Sequence, residues 1–338
     1  MEKIWMQAVL ILVIGAIGLP TVAAGNGIVV NKLAVKQIPY HNPDPAAGPL
    51  VNLPYFDVQN GLRWNNDLVH TETTGDCDRV PRPVNVNGYP IYPRRTHLAK
   101  PRVDERHCLK EIDGRVTSKS VLIGVDSTDG VRWQRPMVFP SGKREFQEYV
   151  IGATPDGLVL NILEVLSPET GKTIFPAPVK EIASENRSVP KYRFTGAGQF
   201  RPSTKRFYVY DAEVTLFSST GGLYEIDPVS DDKKLIQSAK STLWRGHIII
   251  EKMALNEELG VLLLAKRLEQ RGPGWVAFSV FDLATQREVF EERFGDNCYC
   301  TDPYVVLGKN GDVGFSYRNQ NDNNYGLVHY RITRSTDR

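Results

Sequence analysis

The sequence predicts an all-β chain, a β-propeller of about five to seven blades with an irregular, Pro-rich N-terminal region. Three observations predict it. Alternating apolar runs separated by turn formers start at Val121 and persist to the C-terminal part. Strand, turn and strand units recur with starts about 50 to 65 residues apart. Prolines at 39, 43, 45, 49, 54, 81, 83, 90, 93 and 101 interrupt any long helix or central strand before that point. The alternative is a large β-sandwich or two smaller β domains.

The chain opens with a leader. Glu2, Lys3 and the amino terminus form a weakly basic start, Ala8 to Leu19 is apolar, and Val22-Ala23-Ala24 ends the stretch with small residues. A signal peptide over 1–24 is expected, which sends the chain to the periplasm or outside the cell. Its rival is a retained anchor, because Ile4 to Ala24 is about the 20 residues a bilayer span needs. Pro20 and the Gly25-Asn26-Gly27 turn formers favour cleavage, and no later stretch is apolar enough to span a membrane.

Two regions follow: 25–119, irregular and in part a possible source of blades, and 120–338, the repeated antiparallel β region. Ser120 to Val125 and Val131 to Phe139 form the first predicted hairpin, and Tyr149 to Ala153 with Leu158 to Val165 form the second around Pro155-Asp156-Gly157. Leu160 to Phe175 turns at Ser167-Pro-Glu-Thr170, Leu223 to Ile236 at Asp227-Pro-Val-Ser230, and Val276 to Phe290 at Asp282-Leu-Ala-Thr285. Between them stand Phe207 to Leu216, and a pair, His247 to Met253 and Gly260 to Lys266, around Asn256-Glu-Glu-Leu259. A last unit runs from Tyr304 to Leu307, across Lys309 to Asp312, through Val313 to Tyr317 and out at Leu327 to Ile332. Gly221-Gly222 and Gly196-Ala-Gly198 read as hairpin turns, since neither opens a helix that would hold a phosphate.

The Asp-x-x-Thr-like turns resemble those of secreted propellers in the broad YVTN and quinoprotein-like group, over about Val121 to Arg331. Asp282-Leu-Ala-Thr285 fits that pattern, Asp227-Pro-Val-Ser230 fits loosely, and Ser167-Pro-Glu-Thr170 lacks the Asp. The resemblance implies a propeller whose separate blades bring residues together at loops or in a central pit. No Trp-Asp blade ending recurs.

Four cysteines, Cys77, Cys108, Cys298 and Cys300, suit a disulfide-permissive compartment, and three pairings are open. Cys77 with Cys108 would close a loop of roughly 30 residues, worth about 3 to 4 kcal/mol in the chain-entropy picture. Cys298-Tyr299-Cys300 then forms its own tight ring, or each member reaches a different partner. No Cys-x-x-Cys motif of a thiol oxidoreductase is present.

With 41 Lys and Arg against 39 Asp and Glu, the net charge is +2, which gives no whole-surface attraction for nucleic acid. One local strip stands out: Arg94, Arg95, Lys100, Arg102 and Arg106, kept extended by prolines and suited to a protein partner or an anionic envelope surface. Catalytic motifs are missing: there is no Gly-x-Ser-x-Gly elbow and no His-Glu-x-x-His among the six histidines. No metal site and no cofactor are expected. Asp126, Ser127, Thr128 and Asp129 before Gly130 offer oxygens of the kind calcium takes, but tight turns require the same residues. Asn186-Arg-Ser188 has the form of a glycosylation acceptor. The expected function is an exported, non-catalytic interaction or scaffold protein that binds a partner through propeller loops. The alternative is a lactonase-like propeller hydrolase, or a dehydrogenase subunit, with its site in the central pit.

Overall fold

The computed structural model describes residues 23–25, 27–39, 54–57, 61–64, 85–86, 89–90, 94–96, 102–112, 115–125 and 131–335, with short interruptions in the last stretch. Residues 1–22, which hold most of the expected leader, Cys77, Lys100, Asp126 to Gly130 and Asn186 lie outside the described residues. Cys108 and the Arg94, Arg95, Arg102 and Arg106 positions lie in described strands whose side chains do not.

Among the described residues strands dominate, and they pair into five antiparallel sheets of four or five strands, all but the last in chain order. Sheet I comprises Arg94–Thr96, Arg102–Ile112, Arg115–Val125 and Val131–Pro136. Sheet II comprises Val150–Thr154, Gly157–Leu160, Val165–Leu166 and Thr173–Phe175. Sheet III comprises Gly198–Arg201, Arg206–Val214, Ser219–Asp227 and Asp232–Ser238. Sheet IV comprises Gly246–Asn256, Val261–Glu269, Gly274–Asp282 and Arg287–Cys298, with Ser241–Thr242 added beside its first strand. Sheet V takes Cys300–Leu307, Asp312–Asn319 and Asn324–Arg334 from the C-terminal part and Ile28–Pro39 from the N-terminal part, with Ala23–Gly25 at its edge.

The first strands of sheets I and II touch, as do those of II and III, III and IV, and IV and V. First strands inside, later strands outside and a last sheet completed by the N-terminal strand make this a β-propeller, with sheets II to V as four blades and sheet I beside sheet II.

Packing follows from the strand period. In Val261–Glu269, Val261, Leu263 and Ala265 enter the apolar cluster shared by sheets IV and V, while Leu262 and Leu264 enter the one shared by sheets III and IV. A strand buried on both faces is apolar at successive positions, which explains the unbroken Val-Leu-Leu-Leu-Ala run. Two further clusters, around Phe207 and Val209 and around Leu158 and Leu160, fill the spaces between sheets II and III and between I and II. Outer strands such as Asp232–Ser238 have little to cover them and are polar.

The chain's direction gives the ring two unlike faces. One, the hairpin face, carries the turns between first and second and between third and fourth strands; the other, the linking face, carries the connections between sheets. On the hairpin face the three Asp-x-x-Thr-like turns are equivalent. Asp282 accepts from the Ala284 and Thr285 amides, Asp227 from the Val229 and Ser230 amides, and Ser167 Oγ takes the same place by accepting from the Thr170 amide at 3.3 Å. Four residues after each acceptor the backbone is left-handed, at Gly171, Asp231 and Gln286.

Three local expectations need correction. Leu158 to Val165 is not one strand: it breaks after Leu160 into a turn containing Leu163 at φ 61°, which buries Asn161 and Glu164. Gly221 and Gly222 sit inside a strand opposite Ala212 and Asp211, where a Cβ on Gly221 would lie 2.2 Å from the Asp211 carbonyl oxygen. Gly196 to Gly198 leads from the separate hairpin of Val179–Ile182 and Arg187–Pro190 into the first strand of sheet III.

The tightest approach in the ring is between first strands: a Cβ on Gly152 would stand 1.6 Å from the Gly198 carbonyl oxygen. Gly152→Ala is expected to cost about 3 kcal/mol or more in urea unfolding, because backbone has to move. Gly157→Ala, whose Cβ meets only the end of the Val165 side chain, is expected to cost clearly less.

Candidate functional site

A hollow among the described residues lies between sheets III and IV, on the linking face. It is about 300 Å³ and is walled by Thr195, Gly196 and Ala197 before sheet III, Tyr210 and Ala212 on its second strand, and Ile249 to Lys252 on the first strand of sheet IV. Ala197 and Ala212 leave the space open, and Gly196 allows close backbone approach, since a Cβ there would stand 2.0 Å from the Tyr210 carbonyl oxygen. Tyr210 closes the floor, donating its hydroxyl to the Ile248 carbonyl at 2.9 Å. Tyr210 and Ile250 also line a smaller hollow of about 60 Å³ that continues toward Gln237, Lys266, Glu291 and Arg293.

The charged groups around it are paired with one another. Arg267 donates to Glu251, and Arg293 pairs with Glu291 at 2.7 Å while lying 4.4 Å from the centre of the Trp275 ring. Lys266, only 4% exposed, is held by both Glu288 and Glu291. Burial works against the charged form of Glu291, but Lys266 and Arg293 outweigh it and hold the carboxyl down at about 2. Gln237 donates to Glu288 at 3.3 Å and leaves its own buried carbonyl oxygen without a partner. The result is a slot of mixed lining, apolar at Ala212, Ile249 and Ile250 and polar at Thr195, Glu251 and Lys252, beside a smaller hollow with a spare acceptor at Gln237. Small-molecule pockets run from roughly 300 to 1,000 Å³, so this one stands at the lower end of that range.

The basic strip lies elsewhere. In the backbone register Arg94 stands opposite Glu105 and Arg95 opposite Asp104, while Arg102 and Arg106 occupy the neighbouring strand of sheet I. Nothing brings these positions to the slot between sheets III and IV. Cys298 and Cys300 are joined to each other, with Cα atoms 5.2 Å apart, and the bridge is buried where sheet IV passes into sheet V. Near the axis, Gln199 is fully buried and donates to the Met253 carbonyl at 2.7 Å. Among the described residues no three His, Cys, Asp or Glu side chains gather as a metal site would require. After Asp312–Asn319, Asn319 accepts from the Asn321 amide and donates to Asp322 at 2.8 Å.

Sequence reasoning missed the slot, because small residues at 196, 197 and 212 carry no motif and become a cavity only when two sheets face each other. No protein-family profile matches the chain, and no curated protein does. Among solved structures, hydrazine synthase of Kuenenia stuttgartiensis is similar at 12% identity and a TM-score of 0.34, over 60% of this chain and 50% of that one. The chain thus spans about half the length of that protein, and the propeller assignment rests on strand pairing alone.

Lys266 supports the wall of the slot, and its removal has a signed consequence. Glu291, held below its ordinary value of 4.5, adds stability above about pH 4.5 and loses it as pH falls toward about 2. Lys266→Met is expected to cost about 3 to 5 kcal/mol at pH 7, by leaving two carboxylates without their shared cation. It should also flatten that acid limb when unfolding is followed from pH 5 to pH 2.

Proposed function

We propose that the protein is an exported partner-binding or scaffold propeller that docks another protein through its linking face, with the slot between sheets III and IV as the anchor point. The observation that carries this reading is the slot itself, about 300 Å³, apolar on its walls at Ile249, Ile250 and Ala212 and balanced in charge at its rim. A buried apolar anchor surrounded by polar contacts is how protein interfaces concentrate their affinity. Export is supported by the leader-like sequence alone, and the basic strip on sheet I offers a second contact with an acidic partner or an anionic surface.

A photo-crosslinking residue at Thr195, on the exposed rim, is expected to capture a defined protein partner in the native host. Ala212→Trp, which fills the slot, should cut that yield by about tenfold or more while leaving the far-ultraviolet dichroism unchanged. Equal yields from filled and open slots, or no crosslinked protein at all, would contradict the docking role.

A further inference from the structure

Between sheets I and II, also on the linking face, three charged side chains meet in a place where the proposed docking function makes no use of them. Glu148, just before the first strand of sheet II, is fully buried. Arg135, from the outer strand of sheet I, places Nη2 3.3 Å from a Glu148 oxygen and 2.7 Å from Glu164. Glu164 sits in the turn after Leu160 and also accepts from Thr173 Oγ1 at 2.5 Å. The two carboxyls are therefore treated unequally. Glu164 has hydrogen bonds from a guanidinium and a hydroxyl, whereas neither oxygen of Glu148 has any hydrogen-bond partner, and Arg135 Nη1 is likewise buried and unpartnered.

One guanidinium facing two buried carboxyls balances only one negative charge. We propose that Glu148, Arg135 and Glu164 form a proton-operated latch between sheets I and II, closed when Glu148 binds a proton and loosened when it releases that proton to water. Closed, the trio holds one cation, one carboxylate and one neutral acid, with no net charge. Open, it carries a buried excess of one negative charge, which is relieved by letting water reach the junction. Glu148 is the proton carrier because Glu164 already has the contacts that favour ionisation.

The surroundings agree. Among the described residues the charged groups facing Glu148 are Arg135 from sheet I and Glu164 from sheet II. The neighbouring hairpin contributes neutral contacts: the Glu148 amide donates to the Met137 carbonyl at 3.0 Å, and Gln147 donates to the carbonyls of Met137 and Glu148. Burial pushes the Glu148 carboxyl up to about 7, with Glu164 adding to the rise and Arg135 opposing it. Because this value lies above the ordinary 4.5, the folded protein binds the extra proton, and the resulting stability, complete below about pH 4.5, is lost as pH rises through about 7.

Two measurements test the latch. Hydrogen exchange, corrected for the intrinsic effect of pH, is expected to show protection of 131–136 and 150–160 falling by about tenfold between pH 6 and pH 8, the response of a carboxyl that titrates at about 7 closed and about 4.5 open. Glu148→Gln should hold the pH 6 level throughout. A pH response that persists in Glu148→Gln, or none in the wild type, would overturn the proposal. If that variant fails to fold, the carboxyl carbon of Glu148 in the wild-type protein decides, since a nuclear magnetic resonance midpoint near 7 supports the latch and one near 4.5 refutes it.

Discussion

Everything else in this molecule depends on the pairing of Ile28–Pro39 with Asn324–Arg334. Without it sheet V would stop at three strands and expose the edge of Asn324–Arg334. The pairing does more than cap an edge. Ile28 and Val30 enter the apolar cluster shared with sheet IV, and Lys32 reaches Glu292 on the outer strand of sheet IV at 2.5 Å. Glu292 also accepts from the Tyr330 hydroxyl at 2.9 Å, so the two ends of the chain and the neighbouring sheet meet at one carboxylate. Arg334, one strand further in, spans to sheet IV on the hairpin face by donating to Asp282 and to the Leu259 carbonyl, both at 2.9 Å through Nη2.

This closure determines what the two faces can do. Sheets I to V cannot slide independently along the series, because each of I to IV shares a buried cluster with the next. Changes in surface shape are then confined to the seams. One seam, between sheets III and IV, is underfilled by small residues and leaves a slot. Another, between sheets I and II, is filled, with Trp133 donating to the Pro168 carbonyl at 3.1 Å toward the hairpin face and the Glu148 trio toward the linking face. An underfilled seam is a place to receive a side chain, and a seam holding one cation between two acids is a place to sense protons.

The architecture was legible where local chemistry repeats. The turns at 167–171, 227–231 and 282–286 show as a spaced motif because each needs a side-chain acceptor first and a left-handed residue fifth, and Ser167 performs the role that aspartate has in the other two. Apolar runs such as Val261 to Ala265 were legible as strands because double-sided burial removes their alternation. Legibility failed where tertiary contact decides. Leu158 to Val165 has the composition of a strand, yet Asn161 and Glu164 inside it bend away to meet Tyr149 and Arg135. Those two polar residues in an apolar run were the available signal. Glu148 offered none, since its burial comes from sheet I packing over it. The pairing of Cys298 with Cys300 was left open by spacing and became definite only where sheet IV turns into sheet V.

Native-state hydrogen exchange at the closing sheet tests this account most directly. If the N-terminal strand completes sheet V as an integral part of it, amides of 28–39 that face 324–334 should exchange only through the same large opening that exposes the inner strand 312–319, and with the same free energy. Free exchange along 28–39 while 312–319 stays protected would show that the ring does not depend on this strand, and would contradict the account.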